Sequence, residues 1–185
     1  MSNPKSITIT SFTSRYNGLS NVLVNDVFVS SKLFHPTDKK IDLNALDTHS
    51  YKALWDTGAT NCVITQKIID DLKLKPIGMT KVNTASHVEV DAEIYIVSIL
   101  LPNKICVPNV RVTKGNISGH DLLIGMDIIN RGDFAVTHNK GKTSFSFRMP
   151  SVEEIDFTKQ PVSTPTRIVP KVPRNIILPR NWTEE

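Results

Sequence analysis

Short runs in which apolar or β-branched residues alternate with polar ones, broken by Pro, Gly or Asn about every ten residues, constrain this chain more than any other feature. The runs are Ser6 to Phe12, Val22 to Val29, Ala53 to Trp55, Thr80 to Val90, Glu93 to Leu101, Ile105 to Val112, Phe134 to Thr137 and Thr143 to Arg148. A period of two sends successive side chains to opposite faces, so each run can pave one side of a sheet. An all-β domain follows. Only two segments read as helices. The first is Gln66 to Leu74, with Thr65 as N-cap, Ile68, Ile69 and Leu72 on one face, and Pro76 as the stop. The second is Met126 to Arg131, ended by Gly132. Residues 30 to 50 read as a long loop, and Ala135 to Arg148 as a hairpin turning at Asn139-Lys140-Gly141-Lys142 with Phe145 and Phe147 on a core-facing side.

With 185 residues the chain suits one domain, at 1 to 150, followed by a Pro-rich tail at 151 to 185. A core of this size needs neither disulfides nor a structural metal. Six of the eleven prolines fall at residues 150 to 185, where no hydrophobic period persists, so the tail reads as extended or disordered. The longest mostly apolar stretch, Ile94 to Leu101, is far shorter than the about 20 residues that span a bilayer, so no membrane partner is expected. The start, Met1 to Ser6, lacks the apolar core of a secretion signal, and a cytoplasmic location is expected. Cys62 and Cys106 are too few for a disulfide framework or zinc site and read as packing residues. The net charge of +4 comes from dispersed cations, with Lys39-Lys40 the only adjacent pair, which argues against a nucleic-acid partner.

The chemically informative stretch is Ala53-Leu54-Trp55-Asp56-Thr57-Gly58-Ala59-Thr60. An apolar strand delivers a carboxylate onto a tight turn where Thr57 can hydrogen-bond locally and Gly58 allows close backbone approach or positive φ. The tripeptide alone is a weak signal, because an Asp in a turn is usually only a turn residue. Its context is stronger: Cys62-Val63-Ile64 and a capped helix follow, and far downstream Leu122-Leu123-Ile124 ends on Gly125 and enters the second short helix. With these motifs the chain resembles the retropepsin-like aspartic proteases, through Asp56-Thr57-Gly58-Ala59 and Leu122-Leu123-Ile124-Gly125. The likeness is nearest to a bacterial group carrying Trp-Asp-Thr-Gly-Ala-Thr and Leu-Ile-Gly-Met-Asp-Ile, and it covers about residues 20 to 150. It implies a closed, mostly antiparallel β barrel, a water activated by aspartate, no cofactor, and an active site completed by a second subunit.

Peptide hydrolysis independently calls for two carboxylates, one to take the proton of water and one to protonate the carbonyl oxygen. The chain has no second Asp-Thr-Gly or Asp-Ser-Gly, so a homodimer would have to bring two copies of Asp56 together. The expected catalytic set is Asp56 with Thr57 and Gly58 locking its loop; Ala59 and Thr60 would line the substrate cleft. The family also has a hairpin flap, for which Lys81 to Glu89 is the candidate, and Asn83, Thr84, Ala85, Ser86 and His87 are its expected contacts with a peptide or protein substrate. The same stretch also reads as a plain surface hairpin, and its tip departs from the Gly-rich tip of retroviral flaps. Thr60 and Asn61 are neutral where viral enzymes often carry acids, so specificity does not transfer. Cysteine catalysis by Cys62 with a histidine is the weaker alternative, since Cys62 falls in an apolar strand. The histidines and acids show no metal spacing. Asp127 reads as a helix cap. The rival to a homodimeric aspartic endopeptidase is a non-catalytic dimeric module that uses the same fold for binding or scaffolding.

Overall fold

A computed structural model describes residues 9–34, 47–83 and 89–159. The chain divides into one unit ending at Glu153 and a second beginning at Glu154. Of the second, the described part holds a small turn in which the Asp156 carboxylate accepts the Thr158 N–H at 2.9 Å and pairs with Lys159.

Among its described residues the first unit contains ten strands: β1 (Thr10–Arg15), β2 (Leu23–Ser30), β3 (His49–Trp55), β4 (Val63–Ile64), β5 (Gly78–Asn83), β6 (Glu89–Leu101), β7 (Ile105–Lys114), β8 (Leu122–Ile124), β9 (Asp133–Asn139) and β10 (Lys142–Met149). Two α-helices, α1 (Gln66–Asp71) and α2 (Met126–Ile129), and a single 3-10 turn at Pro102–Lys104 interrupt them. Seven strands lie in the order β2-β3-β8-β4-β7-β6-β5, and β2 also pairs with β6, which closes six of them into a ring with β5 outside. The remaining three form an antiparallel sheet, β1-β10-β9. The expectation of a closed β fold with two short helices holds, but the ring is mixed. β3 runs parallel to β8, and β4 parallel to β7. These pairs join strands separated by crossovers rather than by hairpin turns, which is where parallel pairing arises.

Strand β6 shows how sequence becomes architecture. Its first three residues are exposed, whereas most of its remainder is buried because β5, β7 and β2 successively lie beside it. A register shift between Val97 and Ile99 accompanies the hand-over to β2, as a bulge bends a strand away from its first partner. The β9–β10 turn falls where the sequence puts it: Lys140 and Gly141 both take positive φ, the conformation a two-residue hairpin turn requires. Phe145 and Phe147 are fully buried, as their alternation predicts.

The core continues from ring to sheet through aromatic side chains. Trp55, at the end of β3, stacks on Phe134 with a centroid distance of 5.6 Å and meets Phe12, Phe145 and Phe147 at 5.3–5.8 Å. Truncating any one of these to Ala would cost about 3–5 kcal/mol. The Trp55 indole N–H donates to Asn25 Oδ1 at 3.0 Å, which fixes the ring's rotation as well as its depth. The residue before Asp56 is thereby held from both sheets.

Helix α1 is shorter than its pattern suggests. Thr65 is its N-cap residue but makes no side-chain cap bond, and the helix stops at Asp71, ahead of a positive φ at Lys73, so Pro76 is not what ends it. Residues 35 to 46, most of the expected long loop, lie outside the described residues; its last residues, His49 and Ser50, already belong to β3.

Candidate active site

Strand β3 ends at Trp55 and hands the chain to a tight turn at Asp56. The Asp56 N–H donates to the Ile124 carbonyl at 3.0 Å, continuing the parallel ladder one step past the strand. Asp56 is half-buried, and its Oδ1 accepts the Gly58 N–H at 2.8 Å, while the Ala59 N–H closes the turn onto the Asp56 carbonyl at 3.3 Å. The local bond expected of Thr57 is thus made by Asp56 itself; Thr57 is exposed. Gly58 serves close approach rather than positive φ, since a Cβ there would sit 3.1 Å from Asp56 Oδ1. One carboxylate oxygen is occupied by the loop.

The strand-to-helix crossing β8–Gly125–α2 packs behind this turn. A Cβ on Gly125 would fall 2.8 Å from the Ala59 oxygen and from the carbonyl carbon and oxygen of Asn61, so only glycine admits the contact. The first N–H groups of a helix have no intrahelical partner. In α2 those of Met126 and Asp127 donate to the carbonyls of Ala59 (2.8 Å) and Thr60 (3.1 Å). The Asp127 carboxylate reaches back to the same segment, accepting the Cys62 N–H at 3.1 Å and the Cys62 thiol at 3.0 Å. Asp127 is therefore not the N-cap that its position suggests. Gly125 occupies the cap, and Asp127 is the second residue of the helix, where its carboxylate accepts the Ile128 N–H of its own turn at 3.1 Å and also reaches a partner 65 residues away.

That partner settles the thiol alternative. Cys62 is fully buried, and burial first, then the neighbouring Asp127 carboxylate, pushes its pKa far above the ordinary thiol range. It remains a protonated donor at neutral pH, and nucleophilic use needs the thiolate. Cys106, half-buried, is pushed up to about 11 by burial.

Of the other expected residues, Ala59 is half-buried and Thr60 exposed beside Asp56. β5 and the start of β6 do form a hairpin, with Val82 opposite Val90 and Asn83 opposite Glu89. Its tip, with Thr84, Ala85, Ser86 and His87, lies outside the described residues. A surface cleft of about 640 Å³ opens between the start of α1, the hairpin base and the end of β7, lined by Thr65, Met79, Asp91, Glu93 and Lys114 among others. None of residues 56 to 60 lines it, so the chemistry of the Asp56 turn lies elsewhere. Among the described residues no cluster of three or more His, Cys, Asp or Glu gathers as a metal site, and no helix is long and apolar enough to cross a membrane. Sequence reasoning missed the Cys62–Asp127 contact and the Asn25 anchor of Trp55; neither spacing carries a local signal.

Residues 44–131, which include both the Asp56 turn and the Gly125 crossing, match the family model described as "gag-polyprotein putative aspartyl protease". No curated protein matches the chain. Among solved structures, a retropepsin-like aspartic protease from Rickettsia conorii is similar at 13% identity, covering 79% of this chain and 99% of that one, with a TM-score of 0.48. The EIAV protease complexed with the inhibitor HBY-793 is similar at 19% identity, covering 62% and 90%, with a TM-score of 0.42. The retroviral protease-like domain of Ddi1 from Leishmania major reaches 20% identity over 49% and 76%, with a TM-score of 0.34. The matched segment, 88 of the 185 residues, spans both motifs.

Proposed function

We propose that the chain is a retropepsin-like aspartic endopeptidase in which two subunits each contribute Asp56 to one carboxylate dyad, a reading supported by the match of residues 44–131 to an aspartyl protease family model. The observation that carries this reading is the seat of Asp56: a carboxylate at a strand end, half-buried, with one oxygen held by the Gly58 N–H and its own N–H on Ile124. A binding module has no need of an acid fixed in this way. In the proposed reaction the ionised carboxylate takes a proton from water as the water attacks the scissile carbonyl, and the protonated partner donates to the carbonyl oxygen. Two carboxyls that close share one proton, as is established for aspartic proteases at large, so the two titrations belong to the pair. No cofactor enters the scheme.

Thr57 and Gly58 lock the turn in this proposal, and Ala59 and Thr60 contact substrate through the segment that leaves it. Asn83, Thr84, Ala85, Ser86 and His87 would cover the substrate from the hairpin. Residues 1–150 then form the peptidase domain and 151–185 a tail. A pH–rate profile that is bell-shaped with an acidic optimum is expected, because only the singly protonated dyad is competent.

Two measurements test the proposal. Incubating a peptide library with wild type and reading products by mass spectrometry should give defined internal cleavages. Adding an equal amount of Asp56→Asn at fixed wild-type concentration, with free exchange, leaves about one quarter of all dimers wild type in both chains, so the rate should fall to about half. A rate that stays flat while native mass spectrometry with isotope-labelled mutant records mixed dimers would mean each chain holds a complete site.

A further inference from the structure

We infer that Asp127 is a positioning residue for the Asp56 turn, clamping the segment that leaves it through the N–H and S–H of Cys62. The inference rests on the reading of Asp56 as the reacting carboxylate. Four bonds tie residues 59–62 to the first turn of α2: Met126 N–H to Ala59, Asp127 N–H to Thr60, and the two from Cys62 to the Asp127 carboxylate. Half of these ties end on one side chain. Arg131, four residues on, donates to the Asp127 backbone carbonyl at 3.0 Å rather than to the carboxylate. Among the described residues Oδ1 is shared between the Cys62 thiol and the Ile128 N–H at 3.1 Å, whereas Oδ2 accepts the Cys62 N–H.

The geometry determines what the clamp controls. Asp56 is fixed upstream by Trp55 and by Ile124, which belong to regular strands. Downstream, the turn runs into 59–62, which lies in no strand; β7 reaches it only at its far end, where the Cys62 carbonyl accepts the Thr113 N–H at 3.1 Å, so the position of Ala59 to Asn61 depends chiefly on α2. Gly125 supplies close contact there but only repulsion limits that approach; the Asp127 bonds supply the attraction. The Cys62 thiol is fully buried and stays protonated, so it remains a donor to Asp127 across the working range of an aspartic peptidase. Removing the carboxylate leaves the Cys62 N–H without its acceptor in the interior and frees 59–62 to shift, carrying Ala59 and one side of the Asp56 turn with it.

The test compares wild type, Asp127→Asn and Asp127→Ala by hydrogen exchange and by peptide cleavage, at a temperature well below every unfolding midpoint. Displacing reacting groups by about 1 Å costs on the order of 10²-fold in rate. Asp127→Ala should therefore lower kcat by about that factor, with a smaller change in KM, and speed exchange of amides 57–64 while leaving β9 and β10 at wild-type rates. Asp127→Asn keeps a carbonyl oxygen for the Cys62 N–H and presents an amide to the weakly accepting sulfur, so it should recover most of the lost rate. Wild-type exchange across 57–64, or wild-type kcat, in Asp127→Ala would overturn the clamp. Should that variant fail to fold, Asp127→Ser, whose side chain is too short to keep the Cys62 N–H bond, takes its place: faster exchange of the Cys62 amide than in wild type and Asp127→Asn sustains the inference, and wild-type exchange ends it. A wild type that cleaves no peptide defeats the peptidase reading alone, since the exchange measurement stands without activity.

Discussion

The Asp56 turn and the β5–β6 hairpin are both short excursions from the same ring, yet they are held by opposite means. The turn is bounded on every side: Trp55 is locked among aromatic rings, Ile124 and Asp127 bond its backbone on either flank, and Gly125 presses against Ala59 and Asn61. Among the described residues, the outer arms of the hairpin, Lys81 to Asn83 and Glu89 to Asp91, pair with one another. Val90 is 41% exposed, Met79 near the base is 61% exposed, and the cross-strand pair Lys81–Glu89 joins two largely exposed side chains. The contrast is the one the proposed peptidase would need, because charged reacting groups must keep their geometry while whatever covers substrate must admit and release it. In that proposal the densely held turn is the chemical end of the site.

The largest effect that would break this contrast is at the carboxylate. Asp56→Asn should lower peptide turnover by about 10²–10⁴-fold, the range that general acid–base groups supply, while circular dichroism and melting remain those of wild type. Equal turnover by the mutant would remove Asp56 from the chemistry. Next comes Gly125→Ala, whose Cβ meets three backbone atoms at 2.8 Å and must displace either the crossing or the turn. Overpacking of that kind costs about 1–3 kcal/mol, and kcat should fall with the melting temperature. Gly18→Ala, with nothing within 4 Å of its Cβ, is the control and should melt as wild type does.

A smaller effect belongs to the hairpin base. The Tyr95 hydroxyl first, and then Lys114, hold the Glu93 carboxyl below its ordinary pKa. A carboxyl lowered in the folded state stabilises fully above its unfolded value, and that contribution disappears as pH falls through the folded value. Melting curves from pH 6 down to pH 3 should therefore fall more steeply for wild type than for Glu93→Gln; parallel curves would show that the tie carries no weight. Smallest of all is Lys81→Ala, since an exposed ion pair contributes at most about 1 kcal/mol. Its melting temperature should stay within about 2 °C of wild type. A larger drop would mean the hairpin is held more tightly than its exposure indicates.

Most of the strands, both helices and the β9–β10 turn were legible in the sequence because each is decided locally, by alternation, by turn residues or by a buried face such as that of Phe145 and Phe147. The Asp56 turn and Gly125 were legible for the same reason: glycine at a close approach has no substitute. What local pattern leaves open is which strands stand side by side. Val63-Ile64 is only two residues of β4, yet it lies between β7 and β8, parallel to one and antiparallel to the other. No periodicity encodes that choice, so the ring reads as antiparallel until its partners are seen. Asp127 was misread for a related reason. An acid near a helix start satisfies the pattern of a cap, and only the tertiary neighbour, Cys62, reveals that its side chain serves another segment.

Parallel pairing of β3 with β8 also sets when the seat of Asp56 can exist during synthesis. The turn is translated first, and its Ile124 and Asp127 partners follow only after the hairpin and β7 have been made. Contacts of such long sequence separation form slowly, after more local ones. A growing chain that ends at Gly119 has β2 beside β3 but lacks β8 and the helix that bonds the segment after the turn, and rapid exchange of its Asp56 amide is the expected signature. The Asp56 carboxylate therefore gains its full set of backbone partners only once nearly the whole domain has emerged.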